Sequence, residues 1–559
     1  MDNRSCDNKD GGRRRARGQL AAVACLAVAA LVLSACSSGS SNSTSANTRT
    51  ASGGSSSAPL VVDLSGGSGT VDPAQACGGF DVDFTSQFYA RLTQYGSMPG
   101  PQGTMQFDPA KIEPWLATSY TVSPDGRTYT LHLHPGAKFA NGDPINASAV
   151  KYSLERSIIN GGCGGYFIED GLYTPKLVKS ISTPDATTVV IKLSQADANF
   201  PQDLAQPAAG VVDPKVVNKH GGTKKGVINK WMQSHIAGGS GPYVLASYTP
   251  DVSATLKANP NYFGTPPYAK TVQVNFIGND STLLLRARSG EADVTIGMSA
   301  QAAHSLVSNS CCRVILNPTT RSEQILLPSN RYPTSNTDFR AALTYALPYS
   351  QILSKVEYGY GQIFYGPYPP LMKPQYDASL ERPRTFDMAK AKSLLAQSGV
   401  KTPVKLDMII DGSVPADQQL ATIVQAAWKP LGVNVTITTL TNAEFQTKIN
   451  TNPEPYQLGI TEDGPGVIDA GYYLGYDMLC KSPYNADGIC VPAADKLLNE
   501  ARTTVNPAQR LALYRQIIPL WTAASPKIPV YAYDDITVLG QRVTKYFYAG
   551  ETEMWTWAK

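Results

Sequence analysis

Histidine is scarce in this chain, with 5 in 559 residues. They fall at His132, His134, His220, His235 and His304, and none is spaced as H-E-x-x-H, which removes the zinc-hydrolase pattern. No C-x-x-C pair is present to frame a structural zinc site. The G-x-S-x-G elbow of serine hydrolases is also missing, because its nearest approach, Gly238 to Pro242, ends on proline. There is no phosphate-binding loop, so any ATP-driven step belongs to another polypeptide. Charge of one sign is lacking too: Lys+Arg 48 against Asp+Glu 44 leaves +4, much of it from N-terminal arginines. Without a basic stripe or an acidic tail, nucleic acid is not an expected partner. No metal, no cofactor and no enzymatic activity are expected. His132 and His134, alternating in "TYTLHLHPG", read as a solvated strand face in preference to a metal pair.

Long apolar runs are absent as well. The segment Leu20 to Leu33 falls short of the roughly 20 residues a membrane-spanning helix needs. It follows "GGRRRARG" and ends in small residues, the charged, apolar and cleavable parts of a secretory signal. Its last residues, Leu33-Ser34-Ala35-Cys36, resemble the lipobox of bacterial lipoproteins. That resemblance implies a signal peptide over 1–35 and a lipid on Cys36, with ordinary cleavage and an incidental Cys36 as the rival reading. Several acyl chains anchor stably where one binds reversibly. The Ser/Gly-rich stretch 36–59 then reads as a flexible tether with a coil span of roughly 25–30 Å. The expected location is the extracytoplasmic face of a cell membrane.

Of the nine cysteines, Cys6 and Cys25 leave with the leader and Cys36 takes the lipid. Cys77, Cys163, Cys311, Cys312, Cys480 and Cys490 remain, an even set that suggests disulfides in an exported chain. Cys480 and Cys490 bracket the turn-rich "KSPYNADGI" and form the leading pair. Cys77 with Cys163 is a second candidate, and Cys311 with Cys312 either bridge each other or pair elsewhere. Tyrosine, at 29, outnumbers phenylalanine, at 14. A flat apolar ring with a hydroxyl suits a cleft for varied polar ligands.

Strands and helices alternate from Leu60 onward without a tandem repeat, which predicts an α/β architecture. "LVVDLSGG" reads as a strand and "FDVDFTSQFYARLTQYG" as an amphipathic helix. "GPYVLASYTPDVSATLKA" reads as a hairpin around Pro-Asp, and "KTVQVNFIGNDSTLLLRARSGEADVTIGMS" as a strand–helix–strand unit. "DFRAALTYALPYSQILSKVEYG", "DMAKAKSLLAQSG" and "QQLATIVQAAWKPLG" read as helices closing near glycine. "VKLDMII" and "VNVTITTL" read as strands, and "PAQRLALYRQIIPLWTAA" is a helix before the strand "IPVYAY".

The ordered set "TVDPAQACGGFDVDFTSQFYARL", "SYTVSPDGRTYTLHLHPGAKFANGDPINASAVKYSLER", "GSGPYVLASYTPDVSATLKANPNYFG", "LLLRARSGEADV" and "RLALYRQIIPLWTAASPKIPVY" resembles extracellular solute-binding protein family 5. These are the oligopeptide- and dipeptide-binding components of ABC importers. The resemblance implies a two-lobed, hinged α/β clamp of the periplasmic-binding-protein type II class, in its large three-subdomain variety. Lobe I is expected from 60–107, 232–315 and 530–559, with an additional sub-domain over 108–231, and lobe II from 316–529. The implied role is a monomeric receptor that delivers oligopeptides to permease subunits. The alternatives are a non-peptide solute such as an oligosaccharide or metal chelate, or an extracellular hydrolase or sensor.

By the same resemblance, the ligand lies between Cys77, Gly78, Gly79 and Phe80 on one side and "GITED", followed by Gly464, on the other. Glu462 and Asp463 are the acidic candidates there. Peptide-binding relatives use an aspartate at this place to meet the ligand's ammonium, and Asp463 matches it, with Asp469 in reserve. The competing role for Asp463 is to cap the turn that follows. Tyr365 and Tyr368, in "GYGQIFYGPYPP", are candidates for the cleft wall. The loop "DGSVPAD" has neither Arg nor Lys where dipeptide binders place an arginine for the ligand's carboxylate, which favours a longer peptide or another solute.

Overall fold

The structure, a computed structural model, describes residues 58–559 except 77, 170, 172–175, 374, 382–384, 452–454, 465, 483–484, 486–487 and 551. The expected signal peptide, Cys36, most of the expected tether and Cys77 therefore lie outside the described residues.

A ten-stranded mixed sheet runs through the molecule. One half carries Val433–Leu440, Val404–Asp411 and Leu458–Asp463 in parallel. The other carries Val294–Ile296, Leu60–Leu64 and Thr271–Phe276, also parallel, and then the antiparallel Ser253–Ala258 and Tyr243–Thr249. Two long antiparallel strands, Cys312–Leu326 and Lys527–Gly540, join the halves. Their ladder breaks register between Pro318 and Ser322 and again between Glu323 and Gln324. Bulges of this kind bend and twist a strand pair. On one side of the break Leu539 pairs with Val294, and on the other Asp463 pairs with Ser322, so each side belongs to a different half.

Each half has its own core. Val62, Val272, Val294, Ile315 and Leu539 pack in one, and Ile325, Met408, Val433, Ile460 and Val530 in the other. A four-stranded antiparallel sheet, Ala117–Val122, Thr128–Leu133, Thr188–Leu193 and Val178–Ser182, builds a third core with Val150 and Leu154 of the helix Ala147–Asn160. Asn146 caps that helix by accepting from the Ala149 N–H at 3.0 Å. From its far side Arg156 donates both terminal nitrogens to Asp72, at 2.7 and 2.6 Å, with both side chains buried. Asp72 also accepts from the Ala74 N–H, so this pair fixes the approach to Gly78.

Two helix expectations change. The segment 80–96 is helical only over Gly79–Thr85 and becomes a strand at Thr93–Pro99. In between, residues 84–93 are all buried. Their backbone groups bond outward, Ala90 N–H to Ser240 Oγ and the Phe88 and Ala90 carbonyls to Gly241 and Val211 N–H. The local turn bonds end with the Phe88 N–H, and beyond it external partners replace the helical ladder. The helix expected over 338–359 is split into Thr337–Tyr345 and Tyr349–Val356 at Pro348, which cannot donate to the ladder. The Pro-Asp hairpin, the strand–helix–strand unit and the helix Pro507–Ala524 are as expected. Asp251 turns the hairpin at φ 57, a conformation Asp tolerates better than most residues.

Trp428 closes the helix Pro415–Trp428, is fully buried, and donates its indole N–H to the Leu343 carbonyl at 3.0 Å. Trp428→Ala removes both the packing and the bond and is expected to cost about 3–5 kcal/mol. Urea unfolding checks this, and a loss below about 1 kcal/mol would mean that the second core does not rest on this ring.

Candidate functional site

The break in the joining strands opens onto a cavity of about 580 Å³. One wall is the helix Gly79–Thr85, with Gly78, Gly79, Phe80 and Asp83. Gly79 has φ 53, which favours glycine where the chain turns into this helix. The opposite wall brings Thr319, Thr320 and Arg321 from the first joining strand, Asp535 from the second, and Glu462 and Gly464 from the neighbouring strand end. A Cβ on Gly464 would stand 2.8 Å from Arg321 Cγ, so the Arg321 stem lies against bare backbone. Tyr548 completes this wall from the C-terminal segment.

Arg321 holds the site's charges together. Its Nη1 donates to Glu462 Oε1 at 2.6 Å and its Nη2 donates to Asp535 Oδ1. The Tyr548 hydroxyl donates to the other Asp535 oxygen, and the Tyr533 ring lies 5.6 Å from the guanidinium. Arg321, Glu462 and Asp535 side chains are 39%, 47% and 31% exposed, so the network is lined by solvent. Across the cavity Asp83 accepts from the Thr552 N–H at 2.7 Å. Behind this wall Glu323, almost fully buried, accepts from the Tyr533 hydroxyl. Burial, then the charge of Asp417, pushes its carboxyl well above the usual range, and burial with nearby Asp411 pushes Asp417 up to about 7.

Gly78, Gly79, Phe80, Glu462 and Gly464 thus come together around one cavity. Asp463 is placed differently from the expectation of an ammonium acceptor for ligand. Its Oδ2 accepts from Lys527 Nζ at 2.7 Å and from the Tyr473 hydroxyl at 3.1 Å. The physical reason is strand alternation: Glu462 and Asp463 are consecutive in the strand Leu458–Asp463 and face opposite sides. Asp469 is buried, caps the helix Ala470–Met478 and pairs with Arg510 at 2.7 Å. Tyr365 does not wall the cavity: its ring stands edge-on to Tyr349 in the second core. Tyr368 is fully buried and donates to the Gln375 carbonyl. Cys480 pairs with Cys490 and Cys311 with Cys312, while Cys163 is also disulfide-bonded. His132 is exposed on its strand, and among the described residues no cluster of metal-ligating side chains occurs. Sequence reading missed Arg321, Asp535, Tyr548 and Asp83. Its only signal was the acidic pair in "YAYDDITV", set inside an otherwise apolar strand.

The profile of the bacterial extracellular solute-binding proteins, family 5 Middle, matches residues 111–485. The chain belongs to that family. It is 28% identical over 461 residues to a protein of Escherichia coli K12 named "Probable D,D-dipeptide-binding periplasmic protein DdpA", covering 82% of this chain and 85% of the relative. It is 26% identical over 458 residues to heme-binding protein A of Haemophilus influenzae, covering 78% and 81%. Among solved structures, the ABC transporter-associated periplasmic binding protein DppA from Helicobacter pylori, in complex with peptide STSA, superposes with TM-score 0.75. That match has 21% identity and covers 90% of this chain and 98% of the other. The fold is the two-lobed α/β clamp of type II periplasmic binding proteins, and the family is the extracytoplasmic solute-binding component of ABC importers. Among the described residues no helix is long and apolar enough to cross a membrane.

Two measurements test the side chains that leave the site. Asp463→Ala removes the carboxylate that holds the buried Lys527 ammonium at 2.7 Å and is expected to cost on the order of 3 kcal/mol in urea unfolding. Lys527→Met in the same chain should recover much of that loss, and an unchanged midpoint in the single variant would refute the pairing role. Glu381, buried beside the Tyr365 N–H, has its carboxyl pushed up to about 7, mainly by burial. The folded state then binds a proton that the unfolded chain releases near the ordinary value, so stability falls as pH rises from about 4.5 through 7. Glu381→Gln should remove about 3 kcal/mol of that decline, and identical pH profiles would count against it.

Proposed function

We propose that this chain is a lipid-anchored receptor that captures oligopeptides outside the membrane and hands them to an ABC permease. The observation that carries the reading is the cavity at the break between the joining strands, lined by backbone-rich glycine segments on one side and a carboxylate-bearing wall on the other. Exposed backbone bonds a peptide main chain irrespective of its side chains, which suits a tolerant peptide receptor. Relatives named for dipeptide binding, and the peptide-bound DppA structure, support it. Closure is then a rotation of 316–529 against 60–107, 232–315 and 530–559 about the register breaks, with 108–231 riding on the latter. Cys36 supplies the anchor and the tether the reach, and the receptor works as a monomer without turning over its ligand.

A heme-binding relative favours a second reading, a non-peptide chelate in the same cavity. One experiment separates them: native mass spectrometry of the full chain, extracted in detergent and never unfolded. A series of retained masses that fragment into amino-acid residues is expected. One discrete non-peptide mass would replace the peptide reading with the chelate reading. In the same spectra, a mature chain beginning at an unmodified residue other than lipidated Cys36 would sink the anchor.

A further inference from the structure

The loop over residues 220–231, which follows the helix Pro214–Lys219, does not border the cavity. Residues 214–239 carry Lys215, Lys219, Lys224, Lys225 and Lys230 and no Asp or Glu, in a chain whose charges nearly balance. Lys215 pairs with Asp143 at 2.7 Å. The other four lysines are exposed, and among the described residues none of them is held by a carboxylate. Among these lysines stand Val227 and Ile228, 52% and 48% exposed. The Gly226 N–H donates to the Ile159 carbonyl at 3.3 Å, which sets a third exposed apolar residue beside them.

The loop is held in shape. Asn229 Nδ2 donates to the His220 and Gly222 carbonyls at 3.1 and 3.2 Å, closing its base. The Val227 N–H donates to the Lys224 carbonyl at 3.2 Å, closing the turn at its tip. The Tyr152 hydroxyl bonds Asn218 Oδ1 at 3.0 Å and Thr223 Oγ1 at 3.1 Å. Trp231, packed on the first core, stacks between the rings of His220 and His235, at 3.9 and 4.7 Å.

We infer that this loop is a membrane contact. It rests on a bilayer containing anionic phospholipid, with Lys224, Lys225 and Lys230 over the phosphates and Val227, Ile228 and Ile159 entering the headgroup layer. Single exposed apolar residues are ordinary on a protein surface, whereas three set together within a ring of cations match the layered chemistry of a bilayer face. Residues 214–239 contain no arginine, the residue suited to bidentate pairing with a partner protein's carboxylates. Lysine is a point charge on a flexible stem and suits a mobile field of phosphates. The inference goes beyond the receptor reading and does not depend on the solute. On a chain tethered at Cys36 the contact is intramolecular, so a weak one is enough to hold the body in one orientation.

The test is hydrogen exchange on the full chain mixed with vesicles of phosphatidylcholine alone, or of phosphatidylcholine and phosphatidylglycerol in equal parts. Amides of 219–231 should exchange about tenfold more slowly when phosphatidylglycerol is present, and the difference should fade as salt rises. Each lysine contributes about fivefold to such binding, so Lys224→Gln, Lys225→Gln and Lys230→Gln together should weaken it roughly 100-fold. An unchanged urea midpoint in that variant shows that docking was lost and folding was not. Equal exchange on the two kinds of vesicle, or protection that survives in the triple variant, would overturn the inference. Protection by soluble polyglutamate but not by vesicles would assign the loop to an acidic protein and overturn it as well.

Discussion

The hydrogen-bonded pairing of Cys312–Leu326 with Lys527–Gly540 is the constraint on which the rest depends. It makes one sheet out of two halves with separate cores, and it sets where the halves can move. The ladder is lost between Pro318 and Ser322, and side chains take over its work there. Asn317 donates to the Asp535 carbonyl at 3.0 Å, and the Thr319 hydroxyl to the Tyr533 carbonyl at 3.0 Å. Side-chain bonds of this kind keep backbone groups satisfied while leaving φ and ψ freer than a regular ladder would. The crossing is therefore held in position by side chains where its ladder is broken, at the place where the two halves of the clamp meet.

The same break decides which charges meet. Arg321 sits inside it and reaches one carboxylate on the neighbouring strand, Glu462, and one on its own partner strand, Asp535. Tyr548, from the segment that follows the second joining strand, ties Asp535 in turn. Wall, hinge and C-terminal segment thus share one ionic network, so a group that binds any of these carboxylates acts on the crossing itself. Asp463, one residue from Glu462, belongs to a different system. It neutralises Lys527 at the start of the second joining strand, where an unpaired ammonium would be costly.

Much of the fold was legible because local chemistry and tertiary packing agree. Pro-Asp made its hairpin, Gly399 ended Met388–Ser398 in the left-handed conformation, and alternating apolar positions made paired strands. The failures fall where burial is continuous. Residues 84–93 mix apolar and polar side chains that are all buried, and from the Phe88 carbonyl onward their backbone hydrogen bonds run to residues such as Trp115, Val211 and Ser240 instead of along a helix. At the candidate site, resemblance singled out the glycine segment and the acidic strand end, which the fold brings to one cavity. It did not say which of two adjacent acids faces the cavity, because that depends on a register set by the pairing of Ser322 with Asp463. Arg321 and Asp535 were invisible for the same reason: 214 residues apart, they become neighbours only through the joining ladder.

The cavity's excess of acid has to be tolerable before a ligand arrives. It is tolerable because the carboxylates are open to water: Glu462 keeps nearly half of its side chain exposed and Asp535 about a third. Solvent at high dielectric reduces their mutual repulsion to about 1 kcal/mol for unit charges 4 Å apart. Arg321 supplies the counter-charge between Glu462 and Asp535, and where water is excluded and the local dielectric falls that attraction grows together with the repulsion it offsets. Asp535 lines the cavity and lies on the second joining strand, so the charge balance of the wall and the geometry of the crossing are held by the same residues.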